Sequence, residues 1–488
     1  MQYILGIDQS TQGTKAILVD EDGKMIGRAD KSHRQLVNEC GWVSHDLEEI
    51  YANVISVVKE VTERCGIEKS QIRAVGISNQ RETTAAWDKD GNPLADAIVW
   101  QCVRAKEIAG DVQEHYGDLV KERTGLAPSP YFPAAKMAWL LRNAQRLQVR
   151  DKQDIRLGTI DSWLIYRLTK GESFKTDYSN ASRTQLFNLY ELKWDEELCG
   201  IFQIPSECLP EVCDSNSIFG MTDLEGFLDR EIPIHSAIGD SHAALFGQGC
   251  HKPGMIKTTY GTGSSIMMNT GNRCVASNHG LATSLAWGID GKVDYVLEGN
   301  INYTGAVVTW LKDEVGMIAS PAETEAAARE ANPNDRTVLV PAFSGLSAPY
   351  WDDNAKAVLY GMTRITGKNE IIKAALESIA LQIQAVLEAM EKDSGIDIRE
   401  LRVDGGPTKN AYLMQAQSDL SGMKVAVAET EELSALGAAY LAGIGVGLFQ
   451  KDGLFGDSRR SYFEPKMDGQ DRALRLKGWR QAVSMIMG

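Results

Sequence analysis

The chain has 488 residues, more than one hydrophobic core ordinarily organises, so two domains of about 200–250 residues each are expected. Its 51 basic and 66 acidic residues leave a net charge of −15, which argues against nucleic acid or an anionic membrane as partner. No apolar run reaches membrane-spanning length and no charged-then-apolar leader precedes the first strand; the eight cysteines stand singly, with Cys208 and Cys213 nearest each other, so a cytoplasmic protein with reduced thiols is expected.

The first element is the most informative. Ile4-Leu5-Gly6-Ile7-Asp8 is an apolar strand ending in a carboxylate, Gln9-Ser10-Thr11-Gln12-Gly13 is a turn of polar groups and glycine, and Thr14-Lys15-Ala16-Ile17-Leu18-Val19 leads away from it. Such a turn aims backbone N–H groups and hydroxyls at one spot, which suits a polyphosphate. Asp8 can hold the Mg²⁺ of that polyphosphate, directly or through water, and Lys15 can add positive charge. Taken alone, the segment could also be an ordinary hairpin with a polar tip. Glu21-Asp22-Gly23-Lys24 then predicts a turn into a third strand at 24–30. A helix near 47–64 and a buried strand at 74–78 follow. The stretch 100–235 is mixed and rich in Trp and Tyr, and is expected to form a wall and lid over a small substrate.

Met255-Ile256-Lys257-Thr258-Thr259-Tyr260-Gly261-Thr262-Gly263-Ser264-Ser265-Ile266-Met267-Met268 repeats the strand–turn–strand device half a chain later. Two such hairpins imply two related domains facing each other over one nucleotide. A long helix at 369–392 carries Ile372, Leu376, Ile379, Ile383, Val386 and Met390 at helical spacing, a stripe read as core. The preceding Gly361-Met362-Thr363-Arg364-Ile365-Thr366-Gly367-Lys368-Asn369 is one residue too long for a P-loop and is read as a turn capping that helix. Leu401-Arg402-Val403-Asp404-Gly405-Gly406 ends a strand in paired glycines, where a flat adenosine can approach the backbone because no Cβ intervenes. Small residues at 435–441 predict a buried helix packed under the nucleotide. The seven histidines lack metal-ligand spacing, so no zinc or iron site is expected.

This ordered set resembles the FGGY carbohydrate kinases, most closely their glycerol kinase branch. The likeness runs to about Gly447 and includes Gly41-Trp42-Val43, Ser78-Asn79-Gln80-Arg81-Glu82-Thr83-Thr84, Ala97-Ile98-Val99-Trp100-Gln101, Gly158-Thr159-Ile160-Asp161-Ser162-Trp163-Leu164 and Asn180-Ala181-Ser182-Arg183-Thr184. Gly239-Asp240, Ala348-Pro349-Tyr350-Trp351-Asp352 and Ala435-Leu436-Gly437-Ala438-Ala439-Tyr440 extend it. The resemblance implies an α/β fold of two actin-like (ribonuclease H-like) ATPase domains, 1–245 and 246–488, with a deep cleft between them. It implies ATP and Mg²⁺ as cofactors and a small polyol or sugar as substrate. Relatives are often homodimers or homotetramers.

Phosphoryl transfer to an alcohol requires a positioned hydroxyl, a proton acceptor and neutralisation of spreading charge. The resemblance makes Asp240 the catalytic base and, with Asp8, a metal-facing carboxylate. Its neighbours Ser-His-Ala-Ala-Leu also allow a helix N-cap. Arg81 and Glu82 follow a strand end, where α/β domains bind ligands, and can donate to and accept from adjacent hydroxyls. Trp100 offers an apolar wall and Tyr131 a phenol at the rim. The resemblance implies nucleotide contacts at Ser10, Thr11, Gln12, Gly13, Thr262, Gly263, Gly305, Thr309, Gly405, Gly406 and Asn410.

The chain departs from the glycerol kinase pattern at its substrate positions. Ser241 and His242 stand where Gln is common, Ser265 where Phe is common, Val103 for an Arg and Thr309 for a Gln. The changes to Ser241 and Ser265 predict a roomier, more polar pocket, and so a polyol kinase that accepts or prefers a four- or five-carbon polyol or ketose, with glycerol as the nearest precedent and a ketose kinase of the xylulokinase or ribulokinase type as the alternative. An actin-like ATPase of chaperone or filament type would have no reason to assemble Arg81, Glu82, Trp100 and Tyr131. A catalytically dead sugar sensor would have no reason to keep Asp8, Thr11, Thr262, Asp240 and Gly406.

Overall fold

The computed structural model describes residues 1–148, 151–455 and 460–487. Each half of the chain builds a sheet on one strand plan. In the first sheet, the hairpin Tyr3–Gln9 and Gly13–Asp20 is extended by Met25–Ser32 on one side. On the other side Ile72–Asn79 and then Ile232–Gly239 pair in parallel, with Gly220–Thr222 at the edge. In the second, the hairpin Ile256–Tyr260 and Ser264–Gly271 is extended by Lys292–Ile301 and Ala282–Ile289, and in parallel by Glu400–Asp404 and Lys424–Ala428. The two hairpins close at Gln9 opposite Thr14 and at Tyr260 opposite Ser264. This repetition is the expected pair of actin-like α/β units.

Local chemistry sets the element ends. At the Asp22-Gly23 turn, Gly23 adopts φ 77° and Asp20 N donates to Lys24 O at 2.9 Å. The helix Leu47–Cys65 starts where the Asp46 carboxylate accepts from Glu48 N and Glu49 N. The long helix Lys368–Ser394 starts at Gly367, whose N–H donates to the Glu370 carboxylate at 2.8 Å, so the P-loop-like segment is a capping turn as expected. Its stripe Ile372, Leu376, Ile379, Ile383, Val386 and Met390 is fully buried against the second sheet.

The helix Leu433–Gly445 packs on strands Tyr3–Gln9, Ile72–Asn79 and Ile232–Gly239 of the first sheet, and crosses the helix Asp240–Gly247. The close packing expected of its small residues is therefore with the first sheet and with the helix that carries Asp240. A Cβ on Gly437 would lie 1.9 Å from Ala243 O, and one on Gly76 2.3 Å from Ala438 O. Ile4, Ile17, Ala74, Ile238, Leu245, Phe246, Met267, Trp287, Val296 and Leu436 form one buried cluster that joins the two halves.

A smaller sheet of strands Leu36–Val37, Val43–His45, Ala97–Ile98, Thr84–Asp88 and Ile155–Thr159 supports the helix Pro133–Asn143. The wall expected from 100–235 thus also recruits 36–45 and 84–98, whose two- to five-residue strands are too short to show a readable period. The tail adds the edge strand Arg460–Phe463 and the helix Gly469–Ser484, which buries Trp479, Ala482 and Val483. Among the described residues, no helix is long and apolar enough to cross a membrane.

Candidate active site

The carboxyl ends of the parallel strands in the first sheet converge on one place. Strand Tyr3–Gln9 delivers Asp8, strand Ile72–Asn79 leads into Arg81 and Glu82, and strand Ile232–Gly239 leads into Asp240. Gly239 is the N-cap of the following helix and Asp240 its first residue, so the cap position falls one residue earlier than the sequence allows for. The Asp240 side chain is 34% exposed and lies 3.2 Å from Arg81 Nε.

Arg81 is the hub. Its Nη1 and Nη2 donate to the two oxygens of Glu298 at 3.0 and 2.8 Å, so a guanidinium from the first half grips a carboxylate on strand Lys292–Ile301 of the second. Arg183 Nη1 lies 2.9 Å from the same carboxylate, and Arg183 Nε donates to Glu82 Oε1 at 2.7 Å. Burial by itself would raise the Glu298 pKa, but Arg183 and Arg81 overcome it and hold the carboxyl well below its ordinary range. Glu82 has φ 60°, an unfavourable backbone for a residue with a Cβ. Like Glu298, it has its carboxylate paired with a buried arginine.

Ser265 Oγ lies 3.4 Å from Ser241 Oγ and 3.2 Å from Glu298 Oε1, while Lys257 Nζ approaches Ser265 Oγ at 3.4 Å and Thr259 Oγ1 at 3.1 Å. The two serines meet across the halves, next to Asp240. His242 is fully buried; desolvation and the surrounding cations drive its pKa well down, leaving a neutral ring whose Nε2 faces Ser284 Oγ at 3.3 Å.

The other residues expected at the polyol, Trp100 and Tyr131, pack against each other. Trp100 Nε1 donates to Thr11 Oγ1 at 2.9 Å, tying the wall to the phosphate turn. The Trp100 and Tyr131 rings sit 5.4 Å apart, tilted. Val103 is 56% exposed.

In the first hairpin turn, Ser10 N and Oγ both donate to Gly13 O, at 2.8 and 2.9 Å, and Gln12 is exposed. Asp8 accepts from Ser78 Oγ at 2.9 Å, and burial raises its pKa to about 6, with the Asp240 charge adding to the rise. Two carboxylates and hydroxyls at one point suit a hard cation, and Mg²⁺ is ordinarily held by one or two carboxylates plus substrate phosphates. Lys15 keeps its charge near Asp8, whose pKa it pulls down against burial. It is paired with Glu432 at 3.0 Å, a carboxylate also bound by Arg28 at 2.7 Å, and so bridges the halves of the molecule.

The second hairpin turn is tied to the helix Gly305–Asp313, with Gly305 N donating to Gly261 O and Ala306 N to Thr262 O, at 2.9 and 3.0 Å. A Cβ on Gly263 would lie 2.3 Å from Ile301 O. Thr262 and Thr309 are exposed. The glycine pair has two separate roles. Gly405, at φ 100°, is required because a Cβ would lie 2.0 Å from Tyr260 O, whereas Gly406 faces open space, as a ligand-approach role demands. A cavity of about 320 Å³ opens against this loop, lined in part by Thr408, Lys409 and Ala411. Asn410 caps the helix Ala411–Ser421 through Leu413 N and donates to Thr324 Oγ1 at 3.0 Å.

Sequence reasoning did not assign roles to Glu298, Arg183, Lys257 or Lys136. Each had a visible signal, a lone charge inside an apolar or small-residue run such as Val296-Leu297-Glu298-Gly299 or Ala134-Ala135-Lys136-Met137. Such a charge must find a partner when the run is buried.

Residues 3–247 match the N-terminal domain, and residues 256–446 the C-terminal domain, of the FGGY family of carbohydrate kinases. The chain is 46% identical to glycerol kinase of Alkaliphilus oremlandii, over 100% of this chain and 97% of the relative, and 45% identical to glycerol kinase 2 of Thermotoga maritima, over 100% and 99%. Glycerol kinase of Plasmodium falciparum, solved with ADP, superposes with a TM-score of 0.93 at 36% identity, covering 100% of this chain and 99% of that one. Xylulose kinase of Lactobacillus acidophilus superposes at 0.90 with 23% identity over 99% and 98%, a likeness of fold. The filament and chaperone reading falls away, because the match is to phosphotransferases with an alcohol acceptor over the whole chain. This protein belongs to the FGGY family of carbohydrate kinases.

Proposed function

We propose that the protein transfers the γ-phosphoryl group of ATP to a terminal hydroxyl of a small polyol, and that its pocket accommodates four- and five-carbon polyols as well as glycerol. The relatives that match over the full chain are glycerol kinases, and the Plasmodium falciparum enzyme was solved with ADP. The observation that carries the reading is the position of Asp240, held by Arg81 where Glu298 and Ser265 of the second half meet Asp8 and Ser241 of the first.

In this reading Asp240 accepts the proton of the attacking hydroxyl. Arg81, already aligned by Glu298, orients the polyol, and Trp100 and Tyr131 cover its C–H faces. The backbone and hydroxyls of residues 10–13 and 261–263 cradle the phosphates from opposite sides, with the nucleotide against Gly406. Asp8 and Asp240 would hold Mg²⁺, whose charge offsets that of the transferring phosphoryl group. Residues 1–245 then serve polyol and phosphate, and residues 246–488 the nucleotide. Closure of the two halves excludes water from the transfer.

The longer acceptors are supported by Ser241 and Ser265, small hydroxyl-bearing side chains 3.4 Å apart beside Asp240. Steady-state rates with ATP and glycerol, erythritol, threitol, xylitol, ribitol and xylulose test both parts. Turnover with no acceptor in the panel ends the kinase reading, whereas a kcat/KM for glycerol far above all others ends the enlarged pocket alone.

A further inference from the structure

Lys136 lies on the helix Pro133–Asn143, buried to 0% exposure, with no carboxylate within ion-pair distance among the described residues. An ammonium has three N–H donors and no acceptor capacity. Here all three are used: Nζ donates to Trp100 O at 3.1 Å, to Glu82 O at 3.4 Å and to Tyr131 O. The three carbonyls belong to three separate segments, and each segment carries one of the side chains assigned to the polyol. A buried lysine satisfied only by backbone oxygens is expensive for a core, because a hydrophobic residue would fill the same volume at lower desolvation cost. What it provides is a common origin for the three segments.

We propose that Lys136 is a positioning residue for polyol binding, its ammonium clamping the carbonyls of Glu82, Trp100 and Tyr131 and so fixing the mutual placement of the segments that carry Arg81, Trp100 and Tyr131. The clamp explains how Glu82 keeps its unfavourable φ of 60°, with its carbonyl held by Lys136 and its carboxylate by Arg183. It also explains the choice of lysine, since the planar guanidinium of arginine cannot converge on three carbonyls from one atom. Lys136 makes no hydrogen bond to the phosphate turns or the glycine loop, and its one link to the first turn runs indirectly through Trp100 and Thr11, so its effect falls first on the polyol. The charged and titratable groups around it are Glu82, Cys102, Arg104 and Tyr131. Burial pulls its pKa down to about 7, against the pull of Glu82 upward. The inference rests on the kinase reading.

Steady-state kinetics of wild type, Lys136→Met and Lys136→Arg with ATP and glycerol, erythritol or xylitol test it. Lys136→Met is expected to raise the polyol KM by about tenfold or more, with the ATP KM within about twofold of wild type. Polyol and ATP KM values that shift together, or that both stay put, overturn the clamp. Should Lys136→Met fail to fold, the wild-type pH profile decides. A polyol KM that rises through about pH 7 while the ATP KM stays flat, and loses that step in Lys136→Arg, supports the clamp. A flat polyol profile, or a step that persists in Lys136→Arg, overturns it. Wild-type turnover absent with every polyol overturns the kinase reading and the clamp together, whereas turnover with an unshifted Lys136→Met overturns the clamp alone.

Discussion

Arg81 and Glu298 come from opposite halves of the molecule and meet in a two-pronged ion pair, 2.8 and 3.0 Å, that is almost fully withdrawn from water. The pair holds Arg81 beside Asp240 and holds strand Lys292–Ile301 against the first half. Removing one partner leaves buried charge uncompensated, which typically costs about 3–5 kcal/mol. Glu298→Gln is therefore expected to lower unfolding free energy by an amount in that range, measured by denaturant titration. A loss below about 1 kcal/mol would show that water or another carboxylate replaces Glu298.

Asp240→Asn keeps size and shape but cannot accept a proton. It is expected to lower kcat by about 10²- to 10⁴-fold with polyol and ATP binding close to wild type, measured by single-turnover kinetics and calorimetry. Unchanged turnover would remove Asp240 from the proton transfer.

Asp8 has a folded-state pKa of about 6 against an ordinary 3.8, raised first by burial. A raised carboxyl favours the folded state fully below its unfolded pKa and loses that advantage as pH climbs through 6. Asp8→Asn is thus expected to be more stable than wild type at pH 8 by about 3 kcal/mol, and to show little gain at pH 4. Thermal melts at the two pH values check this, and an equal gain at both would refute the burial account. Mg·ATP is expected to stabilise wild type at pH 8 and to lose most of that effect in Asp8→Asn.

Ser241 and Ser265 are in contact, so their effects should couple rather than add. Replacing them together, Ser241→Gln with Ser265→Phe, fills the space beside Asp240. The double variant is expected to lose about tenfold or more in kcat/KM for erythritol and xylitol relative to glycerol. An unchanged ratio would show that these positions do not face the far end of the acceptor.

Gly437 sits where the helices Leu433–Gly445 and Asp240–Gly247 cross, and a methyl group there would lie 1.9 Å from Ala243 O. Gly437→Ala must push apart the helix that begins at Asp240, at a cost of about 1–3 kcal/mol typical of overpacking. A lower Tm together with a lower kcat is expected. A lower Tm with wild-type kcat would separate the crossing from catalysis.

The sequence by itself determined the repeated hairpins, the strand ends that carry Asp8, Arg81 and Asp240, and the long buried helix. All of these are local statements: an apolar run, a polar turn and a stripe at helical spacing report their own structure because the periodicity lies within a few residues. Only the tertiary structure decided which distant charges meet. That Glu298 answers Arg81, that Glu432 pairs with Lys15 across the halves, that Lys136 gathers three carbonyls and that Gly405 makes room for Tyr260 O all depend on how separate segments approach one another in the fold. A lone charge in an apolar run announces that it needs a partner, because burial without one costs several kcal/mol, but the identity of the partner is fixed by how the two sheets pack.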